Sequence, residues 1–286
     1  MMPRICFLLA PVALLLMGCE LVGAGGGDRY TEYVQAKYAL RAGGRLAVET
    51  FNGSVDISVW DKDEVEVLGK KSCESKQDLA RMEMKADQAG NSLVLRVLRP
   101  ERLRNCGVSM TIRAPRRTEI DQISTSNGAV RLADTQGFTQ IRTSNGSVNL
   151  RRHLGGVQLR TSNGNVELDH VQGAIAVESS NGSVKGTVAK LAEGRGVKVE
   201  TSNGSIDVAF ADYAGQTMEL ITSNGSLTLH LPEKANAEVR ASTSNGSVRS
   251  EFGPATARNR WEGKLGTGGA LLRLETSNGE IRLQKL

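Results

Sequence analysis

Three kinds of side chain in this 286-residue chain have types and spacings that could do chemistry. The carboxylates Glu167, Glu200 and Asp207 are the kind a glycan hydrolase or lyase needs, because acid and base groups must converge on one bond. They stand instead at regular intervals with bases among them, as in Glu167, Lys185 and Asp207, or Arg160 and Glu178. That pattern reads as cross-strand charge pairing on a solvated face, each pair contributing about 0.2–1 kcal/mol. His153, His170 and His230 fall at unrelated points of the sequence pattern, and Cys73 and Cys106 lack C-x-x-C spacing, so no metal site is expected. Neither Gly-x-Ser-x-Gly nor His-Glu-x-x-His occurs, and no catalytic or cofactor-binding residue is expected.

The third kind is cysteine. Arg4 followed by the apolar run Ile5 to Met17 has the form of an export signal, too short to span a bilayer as a helix. Leu16, Met17, Gly18 and Cys19 then resemble the lipobox of bacterial lipoproteins, which implies a diacylated Cys19 as first residue of the mature chain. Glu20 follows, not the aspartate that marks inner-membrane retention in similar lipoproteins, so an outer membrane is expected where the source has one. Gly23, Gly25, Gly26 and Gly27 suit a flexible tether and not a phosphate loop, since no strand precedes them and no Gly-Lys-Ser/Thr follows. Export favours a disulfide between Cys73 and Cys106, the two thiols left after processing.

The elements that position these groups are read from a repeat. Thr-Ser-Asn-Gly, complete or slightly changed, recurs at Asn52, Asn127, Asn145, Asn163, Asn181, Asn203, Asn224, Asn245 and Asn278, each followed by glycine. Spacing of about 20 residues means one unit that cannot bury its own apolar face and must stack. Four residues before each Asn stands an apolar residue, such as Ile141 or Leu159, and Thr or Ser stands two before. Val, Ile or Leu fills the third place after it, as at Val148 and Ile206. This period-two alternation predicts two half-buried strands meeting at each Asn-Gly, with the glycine expected to supply a positive φ at the corner. A further glycine midway, at Gly137, Gly155 or Gly156, and Gly173, predicts a second corner. An antiparallel meander would satisfy the same alternation. Asparagine in all nine corners favours a parallel stack, where superposed amides form a buried ladder that superposed carboxylates would break.

The expected fold is therefore an all-β parallel β-solenoid of 18–22-residue coils with an N-terminal β-rich cap. Its parts are a signal peptide (1–18), lipid-anchor Cys and tether (19–30), a capping region (31–117) and solenoid repeats with a C-terminal cap (118–286). Strands are predicted within the cap at Leu46 to Trp60, Val65 to Lys70, Met82 to Ala86, Leu93 to Leu98 and Val108 to Arg113. Chain order makes Asn278 the terminal rung of the ladder. The insertion Glu251 to Gly269 carries Phe252 and Trp261, either a lid on the last coil or an exposed aromatic contact.

The units, opened by Leu46 to Trp60, resemble bacterial β-strand-repeat proteins of unknown function described as candidate adhesins, over about residues 31–286. The resemblance implies a β-helix-like, envelope-exposed, non-catalytic protein, and the family offers no catalytic residues to carry over. Two functions are weighed on it. One is a lipid-anchored adhesin-like or structural binding module, held to the membrane by Cys19 and meeting an envelope glycan or protein. The alternative is a polysaccharide-acting lyase or hydrolase on a β-helix scaffold. A formal charge of only +5, interspersed signs and 4% aromatics argue against nucleic-acid binding. Ice binding through a threonine ladder fails because those threonines share parity with the core.

Overall fold

A computed structural model describes residues 29–99, 103 and 105–286. The signal peptide, Cys19 and most of the tether lie outside the described residues. The described residues are all-β apart from one short helix, Lys76–Arg81, and form two facing twelve-stranded sheets.

The strands entering each Asn-Gly corner make the front sheet, and those leaving it make the back sheet. In the repeats the pairing is parallel and in step. Ile141 lies beside Ile123 on one side and Leu159 on the other, and Val148 lies between Val130 and Val166. Alternate side chains point between the sheets, so Ile141, Leu159, Val177, Val148, Val166 and Val184 are fully buried. Burial of such side chains contributes about 1.5–3 kcal/mol each and drives the stacking.

Corner glycines have a different reason from the one expected. Gly128, Gly146, Gly164, Gly182, Gly204 and Gly225 are not in the left-handed region. A Cβ on Gly146 would fall 2.0 Å from the carbonyl oxygen of Gly128, and one on Gly164 would fall 2.0 Å from that of Gly146. Close rung-to-rung approach, not turn geometry, excludes every side chain there. Positive φ belongs to the second corner, at 111° for Gly137 and Gly155, 100° for Gly156 and 117° for Gly173.

Spatial order departs from chain order at both ends. The C-terminal strands Leu271–Asn278 and Ile281–Lys285 slot between the rung of Met218–Asn224 and Leu227–Leu231 and the rung of Ala237–Asn245 and Val248–Ser250. Asn245, not Asn278, is thus the terminal rung. At the other end, Arg45–Glu49 and Val55–Trp60 are enclosed between the rung of Ser92–Leu98 and Gly107–Pro115 and the one begun by Glu119–Asn127. Ten parallel strands in each sheet give a stack of roughly 48 Å at about 4.8 Å per rung.

Antiparallel strands finish the ends. Arg260–Leu265 pairs with Ala237–Asn245, and Glu83–Ala89 pairs with Ser92–Leu98. On the back sheet Glu64–Cys73 pairs with Gly107–Pro115 and carries Tyr30–Ala39 on its outer side. Reversed direction and charged side chains such as Glu83, Lys85 and Asp87 blunt edges that would otherwise accept another rung. A disulfide joins Cys73 to Cys106, with Cα atoms 4.2 Å apart, tying the antiparallel strand to the first parallel rung.

Candidate functional site

Stacking in step turns each motif position into a column. At the corner, each Asn donates from Nδ2 to Oδ1 of the Asn below: Asn145 to Asn127 at 2.6 Å, Asn163 to Asn145 at 2.7 Å, Asn181 to Asn163 at 2.8 Å. The column continues through Asn203, Asn224 and Asn278 to Asn245, and begins at Asn52, whose amide donates to the Cys106 carbonyl. These side chains are exposed, not buried as the sequence suggested. The buried column is the threonine two residues earlier. Thr125, Thr201, Thr222, Thr243 and Thr276 each donate from Oγ1 to a glycine carbonyl of the adjoining rung, between 2.8 and 3.0 Å.

On the front sheet, beside this edge, four successive rungs form an open groove of about 400 Å³. Its walls carry Ser126, Ser144, Ser162 and Ser180 in one column and Arg142, Arg160 and Glu178 in the next. Arg160 Nε donates to Glu178 Oε2 at 2.8 Å, and its guanidinium holds the Glu178 carboxyl below the usual carboxylate range. Arg142 has Ser124 on one side and Arg160 on the other, so no carboxylate meets it and its guanidinium is free for a ligand. Arg142 is not among the candidate residues read from the sequence, although its signal is there: 18 residues to either side stand Ser and Arg.

The back sheet carries a second groove, about 480 Å³, lined by Asp56, Arg131, Asn149, Arg151 and Glu167 among others. Its charges are largely spent on one another: Arg131 meets Asp56 at 2.9 Å, and Asn149 Nδ2 donates to Glu167 at 2.6 Å. Glu167 and Asp207 share a column but Lys185 separates them, two rungs or about 10 Å in all. Glu200 lies on the other sheet. The three carboxylates are therefore not brought together.

The histidines are likewise dispersed. His170 and His230 sit on the back sheet against Asp169 and Asp207. His153 is fully buried at the second corner. Its Nε2 lies 3.1 Å from the Gly156 carbonyl, an acceptor, so Nε2 carries the proton and Nδ1 accepts from Thr135 Oγ1 at 2.9 Å. Burial pushes its pKa down, against smaller opposing effects of backbone hydrogen bonds. Among the described residues no three His, Cys, Asp or Glu side chains gather as metal ligands.

Trp261, on the antiparallel strand Arg260–Leu265, is buried opposite Ala241, covering the terminal rung. Phe252 is half-buried, with Lys285 Nζ 5.9 Å from its ring centre.

A family model described as Toastrack DUF4097 matches residues 46–284. Solved structures of similar chains include a candidate adhesin of Parabacteroides distasonis, 12% identical, covering 88% of this chain and 96% of that one, TM-score 0.47. A candidate adhesin of Bacteroides fragilis is 11% identical over 89% of this chain and 97% of its own, TM-score 0.44. A candidate cell adhesion protein of Clostridium sporogenes is 13% identical over 88% and 99%, TM-score 0.26. No curated protein matches.

Proposed function

The chain belongs to the Toastrack DUF4097 family, and from that membership and the front-sheet groove we propose that it is an adhesin-like binding module without catalysis. The carrying observation is the groove across four rungs, in which the free guanidinium of Arg142 adjoins a column of serine hydroxyls. A column repeating at one rung spacing suits an extended ligand, such as an envelope glycan, better than a compact one. Adhesion-related descriptions of structural neighbours accord with this reading. The alternative, a polysaccharide lyase or hydrolase, is disfavoured because Glu167, Asp207 and Glu200 do not converge.

The module is held at the cell envelope by lipid on Cys19, in the outer membrane of a two-membrane cell. Among the described residues no helix is long and apolar enough to cross a bilayer. The tether would let the rod stand off the surface.

The test is capture of glycan and envelope fractions by the full chain and by Arg142→Ala. Retained capture that falls with Arg142→Ala supports the groove, and equal capture by both removes it. Detergent partition of Cys19→Ala checks the anchor: the variant should leave the detergent phase that the parent enters.

A further inference from the structure

We propose that Asn245 is a modification site, the one Asn-Gly pair of the nine that deamidates in the folded protein. Asn-Gly is chemically labile because the glycine backbone nitrogen can attack the asparagine Cγ. A Cγ–N bond to glycine forms, the Cγ–Nδ2 bond breaks, and ammonia leaves. Water then opens the resulting imide to aspartate or isoaspartate. Attack needs a glycine N–H that is not engaged and a side chain able to swing toward it.

Seven rungs meet neither need. Glycine N–H groups of Gly128, Gly146, Gly164, Gly182, Gly204, Gly225 and Gly279 each donate to an asparagine carbonyl of the next rung, at 3.0–3.2 Å. The asparagines preceding them both give and take an amide hydrogen bond in the column. Asn52 is held at both ends too, by the Cys106 carbonyl and by Asn127, and Gly53 behind it is buried.

Asn245 is the terminal rung. It donates to Asn278 Oδ1 at 2.9 Å, but no amide donates to its own Oδ1, since the Asn259 amide beyond it is given to the Thr243 carbonyl, and the Gly246 N–H makes no hydrogen bond. Its side chain is exposed, so water reaches the imide. Conversion replaces the Nδ2 donor with a carboxylate facing Asn278 Oδ1 and unties the last rung of the column.

The experiment is timed incubation of the full chain at mildly alkaline pH, native and in urea, with peptide mass mapping of aspartate and isoaspartate at all nine sites. In urea the nine should convert at similar rates. In the native protein Asn245 should lead the interior sites by about tenfold or more, since each of those must first break hydrogen bonds that Asn245 does not make. Native conversion at Asn245 no faster than at Asn145 or Asn163 would overturn the proposal. So would an Asn245 that stays intact while urea converts it.

Discussion

Asn163 gives one amide hydrogen bond to Asn145 and takes one from Asn181, whereas Asn245 only gives. Since a hydrogen bond of this kind contributes about 0.5–1.5 kcal/mol, Asn163→Ala should cost about 1–3 kcal/mol and Asn245→Ala roughly half that. Urea unfolding of the two variants measures the difference. Equal losses would mean that the column adds little beyond each residue's own corner. His153 makes a second prediction at this scale. Its folded pKa lies below the unfolded value of about 6.5, so below that pH the unfolded chain binds the extra proton. The neutral-histidine contribution is complete above about pH 6.5 and declines, by up to about 1.4 kcal/mol per pH unit, until the folded pKa is reached. His153→Gln should flatten urea midpoints recorded between pH 7.5 and pH 5, the range to compare.

The coil is the element, and its stacking distance leaves the corner glycine no choice. Gly146→Ala places a methyl 2.0 Å from the Gly128 carbonyl oxygen and must push two rungs apart, a loss of about 3 kcal/mol or more. Gly196→Ala, where the nearest foreign atom is 3.2 Å away, asks for a shift of only a few tenths of an ångström and should cost far less, a difference that thermal unfolding of the two variants measures. Much of this element was legible in advance. Alternation around each Asn assigned inward and outward positions, because one buried face imposes period two, and 18-residue spacing put Arg160 beside Glu178. The reason for the corner glycine was not legible, since positive φ and close approach both demand glycine and only coordinates separate them. Burial of the Asn column was misjudged for a related reason: alternation ceases at a corner, where the chain turns out of both sheets. The groove at Arg142 required naming a missing partner rather than a present one. Tyr30–Ala39 escaped because its alternation, with Ala36 and Tyr38 inward, is weak against a polar background.

At the scale of the molecule, strands running against the stack close both sheets at the N-terminal end and the front sheet at the C-terminal end, and both ends enclose a rung out of chain order. Removing 270–286 would therefore take an interior rung, leaving the edges of Met218–Asn224 and Ala237–Asn245 unpaired together. Such a truncated chain should associate on size exclusion and lose its single cooperative melt, while the intact chain stays discrete. Retained solubility and one sharp transition would show that Ala237–Asn245 can close directly onto Met218–Asn224. The same threading bears on the order of synthesis. A ribosome delivers residues 237–250 before 271–285, yet the later segment pairs with the earlier rung and lies inside it. A nascent chain that has reached only residue 250 therefore cannot stack its newest rung in the native order, and must hold that place open until 271–285 arrive and thread in.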